Sequence, residues 1–318
     1  MRKFFRLARY FIFMSIFFAL VFGVKDILKE QENYDEELKN KIVLISHVYS
    51  NPYWQDIKKG AEKAAEDKNI IVEFQGPDYA SVEEGIRLIN MAYASNVSGI
   101  ITYVQDGNSY NSIINKIIDN NIPIVTIDSD AEKSKRLSYV GTDNVNAGKV
   151  GAKEMIRQVG TEGNIGIILG GMEVKNQVER VTGFTEYIKE NSNLDITNIE
   201  SSDSYLLQAE LAAKKILTDN QDIKAIFCTS AQDGIGAAKV VKSMGLVGIV
   251  KIICFDALPE TLELIRDGTI SATVAQNPYI MGEEAVNTIV NILEGNKVKE
   301  LQLIDVEVIN DRNINDYD

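Results

Sequence analysis

The feature that most constrains this chain is a rhythm that runs from residue 41 to the end. Short, continuously apolar and β-branched runs alternate with longer amphipathic stretches. KIVLISH leads into a helical pattern over 52–68, with Ile57, Ala61, Ala64 and Ala65 on one face. IIVEF precedes a helix over 81–94, GIITYV one over 111–120, and IPIVTID closes the first series. The second series opens with LSYVG and a helix over 143–159, then NIGIILG and a helix ending near Glu190. It continues with LDITNIE and 205–218, IKAIFC and 234–244, VKIICF and 259–266, SATVAQ and 281–293, and finally LIDVEV. Strands that are apolar along their whole length are buried on both faces, which implies parallel sheets covered by helices. Two series in tandem predict an α/β fold of two doubly wound parallel-sheet lobes. A length of 318 residues suits two domains.

Ahead of this rhythm lies a different kind of segment. Arg2, Lys3, Arg6 and Arg9 precede an apolar run from residue 10 to 24. Basic-then-apolar is the pattern of a signal peptide or a retained signal anchor, with the basic end inside. Counting Leu7 and Ala8, the run approaches the lower limit of about 17 residues for a span. Residues 1–24 are therefore expected to be an anchor or a cleaved leader, and the polar, helix-forming residues 25–40 a stalk or linker. In either case the chain from residue 41 is expected on the extracytoplasmic side, held to the membrane through its N-terminus if the anchor is retained and secreted or periplasmic if it is cleaved.

Charge and rare residues exclude several classes. The formal net charge is -13, which repels phosphate backbones and argues against nucleic acid as a partner. There is one histidine, His47, and two cysteines, Cys228 and Cys254, each inside an apolar run that reads as a buried strand. That leaves no basis for a zinc site or a histidine-based triad. No GxSxG, HExxH or Walker loop occurs, and GKVG and GNIGIILGG do not match the dinucleotide fingerprint. No catalytic residue, metal or cofactor is assigned.

In open parallel sheets, ligands bind beyond the carboxyl ends of strands. The strands here run out into VYSNPYW, then Asp128-Ser129-Asp130, Thr229-Ser230-Ala231-Gln232-Asp233, Asp256, and Gln276-Asn277. Carboxylates and amides pair with sugar hydroxyls, and aromatic faces cover the C–H faces of a sugar ring. Bland readings stand beside these. Asn51-Pro52 makes a good helix start. Trp54 lies three residues before Ile57 and could join the core stripe, whereas Tyr53 is rotated off it and is expected to be exposed. Asp128 and Asp256 could cap loops, and Arg180 could be a solvated helix residue.

Taken in order, SNPYW, IPIVTIDSD, YVGTDNVNAG, QVERVTGF, CFDALPE and TVAQNPY resemble the type I periplasmic binding proteins for monosaccharides, most closely the ribose- and xylose-binding group. The resemblance implies sugar contacts from Asn51, Tyr53, Trp54, Asp128, Arg180, Asp256 and Gln276. Ser129 stands where ribose binders carry arginine, and Ser230 where they carry asparagine, so ribose itself is in doubt and a pentose such as xylose becomes comparable. The resemblance also implies three crossings between lobes, near Thr142, Gln276 and Ile304. One lobe would comprise 41–142 plus 277–304, the other 143–276 plus 305–318. A monosaccharide would favour lobe closure, to be read by a membrane histidine kinase or by the permease of an ABC importer. A transcription regulator on the same body, or an α/β enzyme, is the rival of another class.

Overall fold

The computed structural model describes residues 41–68 and 70–317, together with Met14 and residues 22–25. Apart from those five residues, the expected anchor (1–24) and stalk (25–40) lie outside the described residues. Among the described residues no helix is long and apolar enough to cross a membrane.

The first series forms β1 (Lys41–Ile45), α1 (Pro52–Glu66), β2 (Ile71–Gln75), α2 (Val82–Ala94), β3 (Gly99–Thr102), α3 (Gly107–Ile118), β4 (Ile124–Ile127) and β5 (Ser138–Gly141). The second forms α4 (Asn144–Val159), β6 (Glu162–Leu169), α5 (Lys175–Asn191), β7 (Asn193–Ser201), α6 (Leu206–Asp219), β8 (Ile223–Cys228), α7 (Ala231–Ser243), β9 (Lys251–Phe255), α8 (Pro259–Arg266) and β10 (Ala272–Ala275). Then come α9 (Pro278–Leu293), β11 (Leu301–Leu303) and β12 (Glu307–Asn310). Two six-stranded sheets result, ordered β11-β5-β4-β3-β1-β2 and β12-β10-β9-β8-β6-β7. The fold is the expected pair of parallel-sheet α/β lobes. One strand departs from parallel: β12 runs antiparallel to β10, with Ala272 opposite Asn310.

LIDVEV, read from the sequence as one strand, is not one. Leu301–Leu303 completes the first sheet beside β5, and Glu307–Asn310 completes the second. The chain changes sheet in between. Ile304 packs on the core of the first sheet, while Val306 and Val308 pack on the core of the second. The alternation that mimics a single strand is the signature of one segment serving two cores in turn. The chain also passes between sheets after β5 and after β10, and there Thr142 Oγ1 donates to Gln276 Oε1 at 2.8 Å, tying two crossings together.

Helix starts follow the local chemistry. Asn51 accepts from the Tyr53 amide at 3.0 Å ahead of Pro52, and Asn277 accepts from the Ile280 amide at 3.1 Å ahead of Pro278. Proline in the first turn loses no intrahelical bond, and the asparagine satisfies an orphan amide. Two helix pairs then pack backbone to backbone: α1 with α9, and α4 with α5. A β-carbon at Gly60 would overlap the Tyr279 carbonyl oxygen, and one at Gly282 that of Ile57. In the other lobe Gly148 meets the Arg180 carbonyl and Gly183 that of Val145. Glycine is needed at these four positions for close approach, and each pair carries residues of the cleft between the sheets. Cys228 and Cys254 are fully buried free thiols, as read from the sequence.

Candidate ligand-binding cleft

The carboxyl ends of both sheets face a cleft of about 310 Å³. From the first lobe, α1 supplies Tyr53 and Trp54, with Asn51 at its cap; β1 ends in His47, β3 leads to Tyr103 and β4 to Asp128. From the second, α5 supplies Asn176, Gln177 and Arg180, the start of α7 supplies Ser230, and β9 leads to Asp256; Gln276 sits on a crossing.

Asp128 and Asp256 are both held in left-handed backbone, at φ 65 and 66°. Non-glycine residues adopt this region rarely, and aspartate is among those that tolerate it. Asp128 Oδ1 accepts from the Tyr53 hydroxyl at 2.7 Å, and Oδ2 accepts from Asn176 Nδ2 at 2.8 Å, across the cleft. Burial pushes its carboxyl up to about 6, against the pull of the Arg180 guanidinium and these hydrogen bonds. Asp256 Oδ1 accepts from Gln276 Nε2 at 2.8 Å, and burial raises it too, again opposed chiefly by Arg180. One cation thus faces two desolvated carboxylates. Arg180 is 2% exposed, so the solvated reading does not hold. Its Nε donates to Asn144 Oδ1 at 3.0 Å, Nη1 to the Thr229 carbonyl at 2.8 Å, and its plane lies 4.3 Å over Phe255. Nη2 is buried without a protein partner, as is Asn176 Oδ1.

Tyr53 corrects an expectation. It is 6% exposed rather than solvated, because it packs in the first lobe's core cluster and its hydroxyl donates to Asp128. Trp54 is in the first lobe's core and also lines the cleft, set edge-on to Tyr53 and Tyr103 with ring centres 6.0 and 5.5 Å away. Ser230 lines the cleft and caps α7. Ser129 is the one sequence-picked residue that does not reach the cleft lining. It is buried with its hydroxyl unpartnered, beyond the turn made by Asp128. Asp130 likewise turns into the lobe, where Arg136 grips both its oxygens at 2.7 and 2.6 Å. The set Asp128-Ser129-Asp130 therefore divides into one cleft residue and two structural ones.

Sequence reasoning missed His47, Tyr103, Asn176 and Gln177. Asn176 lies one turn before Arg180 on α5, so i,i+4 spacing was a usable signal. His47 is packed against Tyr103 at 4.5 Å, and burial lowers it to about 4, so it is neutral near pH 7. Nothing local in the sequence marks it. Among the described residues no group of histidine, cysteine or carboxylate side chains is placed to hold a metal ion.

A model of the periplasmic binding protein domain matches residues 42–297. The chain belongs to that family. A ribose import binding protein, RbsB of Bacillus subtilis, is 27% identical over 254 residues, covering 79% of this chain and 81% of its own. A solved structure of XylFII is 56% identical with a TM-score of 0.82, covering 86% of this chain and 98% of that one. The structure of a XylFII-LytSN complex gives 55% identity, a TM-score of 0.83 and the same coverages.

Proposed function

We propose that this chain binds a monosaccharide between its lobes, a pentose with xylose foremost, and passes lobe closure to a membrane histidine kinase. The similarity at 55–56% identity to XylFII, alone and with LytSN, over nearly the whole of those chains carries the reading. The cleft's chemistry supports it. At about 310 Å³ it has room for a small polar ligand the size of a monosaccharide. One guanidinium nitrogen and one amide oxygen stand unpartnered there, and two carboxylates and a row of aromatic faces surround them. Buried polar atoms left unpaired cost free energy that a polyhydroxylated ligand recovers.

In this reading Asn51, Tyr53, Trp54 and Asp128 meet the sugar from one lobe. Arg180, Ser230, Asp256 and Gln276 meet it from the other. The moving units are 41–142 plus 277–304, and 143–276 plus 305–318. Closure is favoured by contacts that exist only when the cleft is shut, and the sugar leaves unchanged. The N-terminal segment holds the body at the outer face of the membrane beside its kinase. A second reading, delivery to an ABC importer, is favoured by the similarity to RbsB.

Calorimetry with a panel of pentoses and hexoses tests the ligand, with emission of Trp54, the chain's only tryptophan, as an optical check. Xylose is expected to bind most tightly and to be recovered intact. Sugar-dependent capture of a kinase outer domain is expected, and linkage then requires that domain to tighten sugar binding equally. A panel without any pentose binding ends the reading; pentose binding with capture of a permease and no kinase returns the chain to transport.

A further inference from the structure

Behind the second lobe's half of the cleft lies a buried carboxylate that touches no cleft surface. Asp233, in the first turn of α7, is fully buried. Its side-chain hydrogen-bond donors are hydroxyls, with the Ser230 backbone amide beside them. Oδ1 accepts from Ser202 Oγ at 2.5 Å, and Oδ2 accepts from Ser230 Oγ at 2.8 Å. Thr229 Oγ1 is 3.4 Å from Oδ2 but 2.5 Å from Gln177 Oε1, so its single hydrogen goes to Gln177. Ionised carboxylate is acceptor-only, so it dictates the direction of each hydroxyl pointed at it.

Two consequences reach the cleft. Ser202 Oγ, with its hydrogen committed to Asp233, accepts from the Ser204 amide at 3.2 Å. Ser204 and its neighbour Asp203 are both in left-handed backbone, at φ 61 and 49°. Two successive non-glycine residues in this region persist only where surrounding contacts over-determine them. Asp203, Ser204 and Tyr205 form the second lobe's lip of the cleft. The other consequence concerns Ser230, whose oxygen already accepts from the Asp233 amide at 3.2 Å. Its hydrogen is committed to the carboxylate, so toward the cleft it offers a lone pair and no donor.

We propose that Asp233 is a positioning residue for the ligand: it locks the strained lip at 203–204 through Ser202 and fixes Ser230 as an acceptor for a sugar hydroxyl. This rests on the cleft being the sugar site. The residue acts through its neighbours, since it does not line the cleft itself. An asparagine in its place keeps one acceptor oxygen and presents an NH2 group to the other hydroxyl, so one of the two serines must turn its hydrogen away.

The test uses the full chain and D-xylose, with Asp233→Asn, Ser202→Ala and the double variant. Asp233→Asn is expected to weaken xylose binding by about tenfold, as for a displaced buried hydrogen bond. Ser202→Ala is expected to do part of the same, and the double variant to fall short of the product of the two. Amide hydrogen exchange at 203–205 is expected to quicken in both single variants, with β1 and α1 of the other lobe unmoved. A dissociation constant within twofold of the parent overturns the proposal, as does slow, unchanged exchange at the lip. Strictly multiplicative effects overturn the relay through Ser202. If the parent chain binds no xylose, the pentose reading fails instead, and lip exchange in the ligand-free chain alone decides the role of Asp233.

Discussion

The two lobes are built alike and finished differently. Each sheet has its central strands in the same order, and in each the fourth strand ends on an aspartate in left-handed backbone. The Asp128 amide donates to the Val140 carbonyl and the Asp256 amide to that of Val274, both at 3.0 Å. Each aspartate's own carbonyl receives a side-chain hydroxyl from the next strand, Tyr139 in one lobe and Thr273 in the other. The glycine-mediated helix pairs correspond as well. Yet the first lobe walls the cleft with His47, Tyr53, Trp54 and Tyr103, and the second with Asn176, Gln177, Arg180 and Ser230. The scaffold sets where a strand-end side chain points. The residue chosen there sets what the wall offers: aromatic faces beside the Asp128 carboxylate from one side, the cation and most of the amides from the other.

Removing the charge breaks this division hardest. Arg180→Ala takes away the cation shared by Asp128 and Asp256 and leaves two desolvated carboxylates facing the ligand. The expected loss is on the order of 2–5 kcal/mol of sugar affinity, read by calorimetry. Unchanged affinity would mean that the second lobe's wall is not where the sugar is anchored.

The structural half of the comparison is tested by Gly148→Ala and Gly282→Ala, which push a methyl into equivalent helix–helix contacts of the two lobes. Overpacking of this kind costs typically about 1–3 kcal/mol, and chemical denaturation should give similar losses for both. A loss in one and none in the other would show that the lobes' matching helix pairs are not energetically matched.

The smallest effect concerns pH. Asp128 titrates near 6 in the fold against an ordinary 3.8, so between those values the native chain holds a proton that the unfolded chain has shed. Stability from this group therefore rises as pH falls through 6 and levels off below about 4. At pH 7 the ionised group costs at most about 3 kcal/mol. Asp128→Asn removes that cost and keeps the Tyr53 bond. It also offers its amide to Asn176 Oδ1, now without a partner, once the Asn176 amide flips. Urea unfolding is expected to show the variant more stable than the parent by about 1 kcal/mol at pH 7, with the gain gone at pH 4. A variant less stable at pH 7 would show that the ionised carboxylate is structurally required, and one less stable at pH 4 as well that the carboxyl group is needed whether charged or not.

Much of this was legible in the residues, and the failures have physical causes. Continuous apolar runs locate every central strand, because a strand buried on both faces leaves no polar alternation to confuse it. Asp128, Asp256 and Gln276 stood out as polar residues directly after strands, where open parallel sheets place ligands, whereas Arg180 was marked only by the resemblance, its own sequence context reading as a solvated helix position. Ser129 was misplaced because a single left-handed residue reverses which way its successor faces, and no composition rule announces that. Tyr53 was read as exposed because a helical wheel shows the stripe facing the sheet and not Asp128 and Met281, which meet its hydroxyl from elsewhere in the same lobe. LIDVEV was read as one strand because an alternating pattern cannot say which of two sheets each residue serves. Asp233 appeared only among the polar residues after β8, because Ser202, the partner that ties it to the lip, is 31 residues away in sequence and meets it only in the fold.

The late edge strands carry a consequence for how the molecule is made. Neither sheet is finished by its own half of the chain: β11 at Leu301–Leu303 seals one and β12 at Glu307–Asn310 the other. A ribosome that has synthesised 300 residues has therefore delivered five of the six strands of each sheet and the last edge strand of neither. Both remain open to unfolding until the same last stretch arrives, so completion is a joint event at the end of synthesis and not two successive ones.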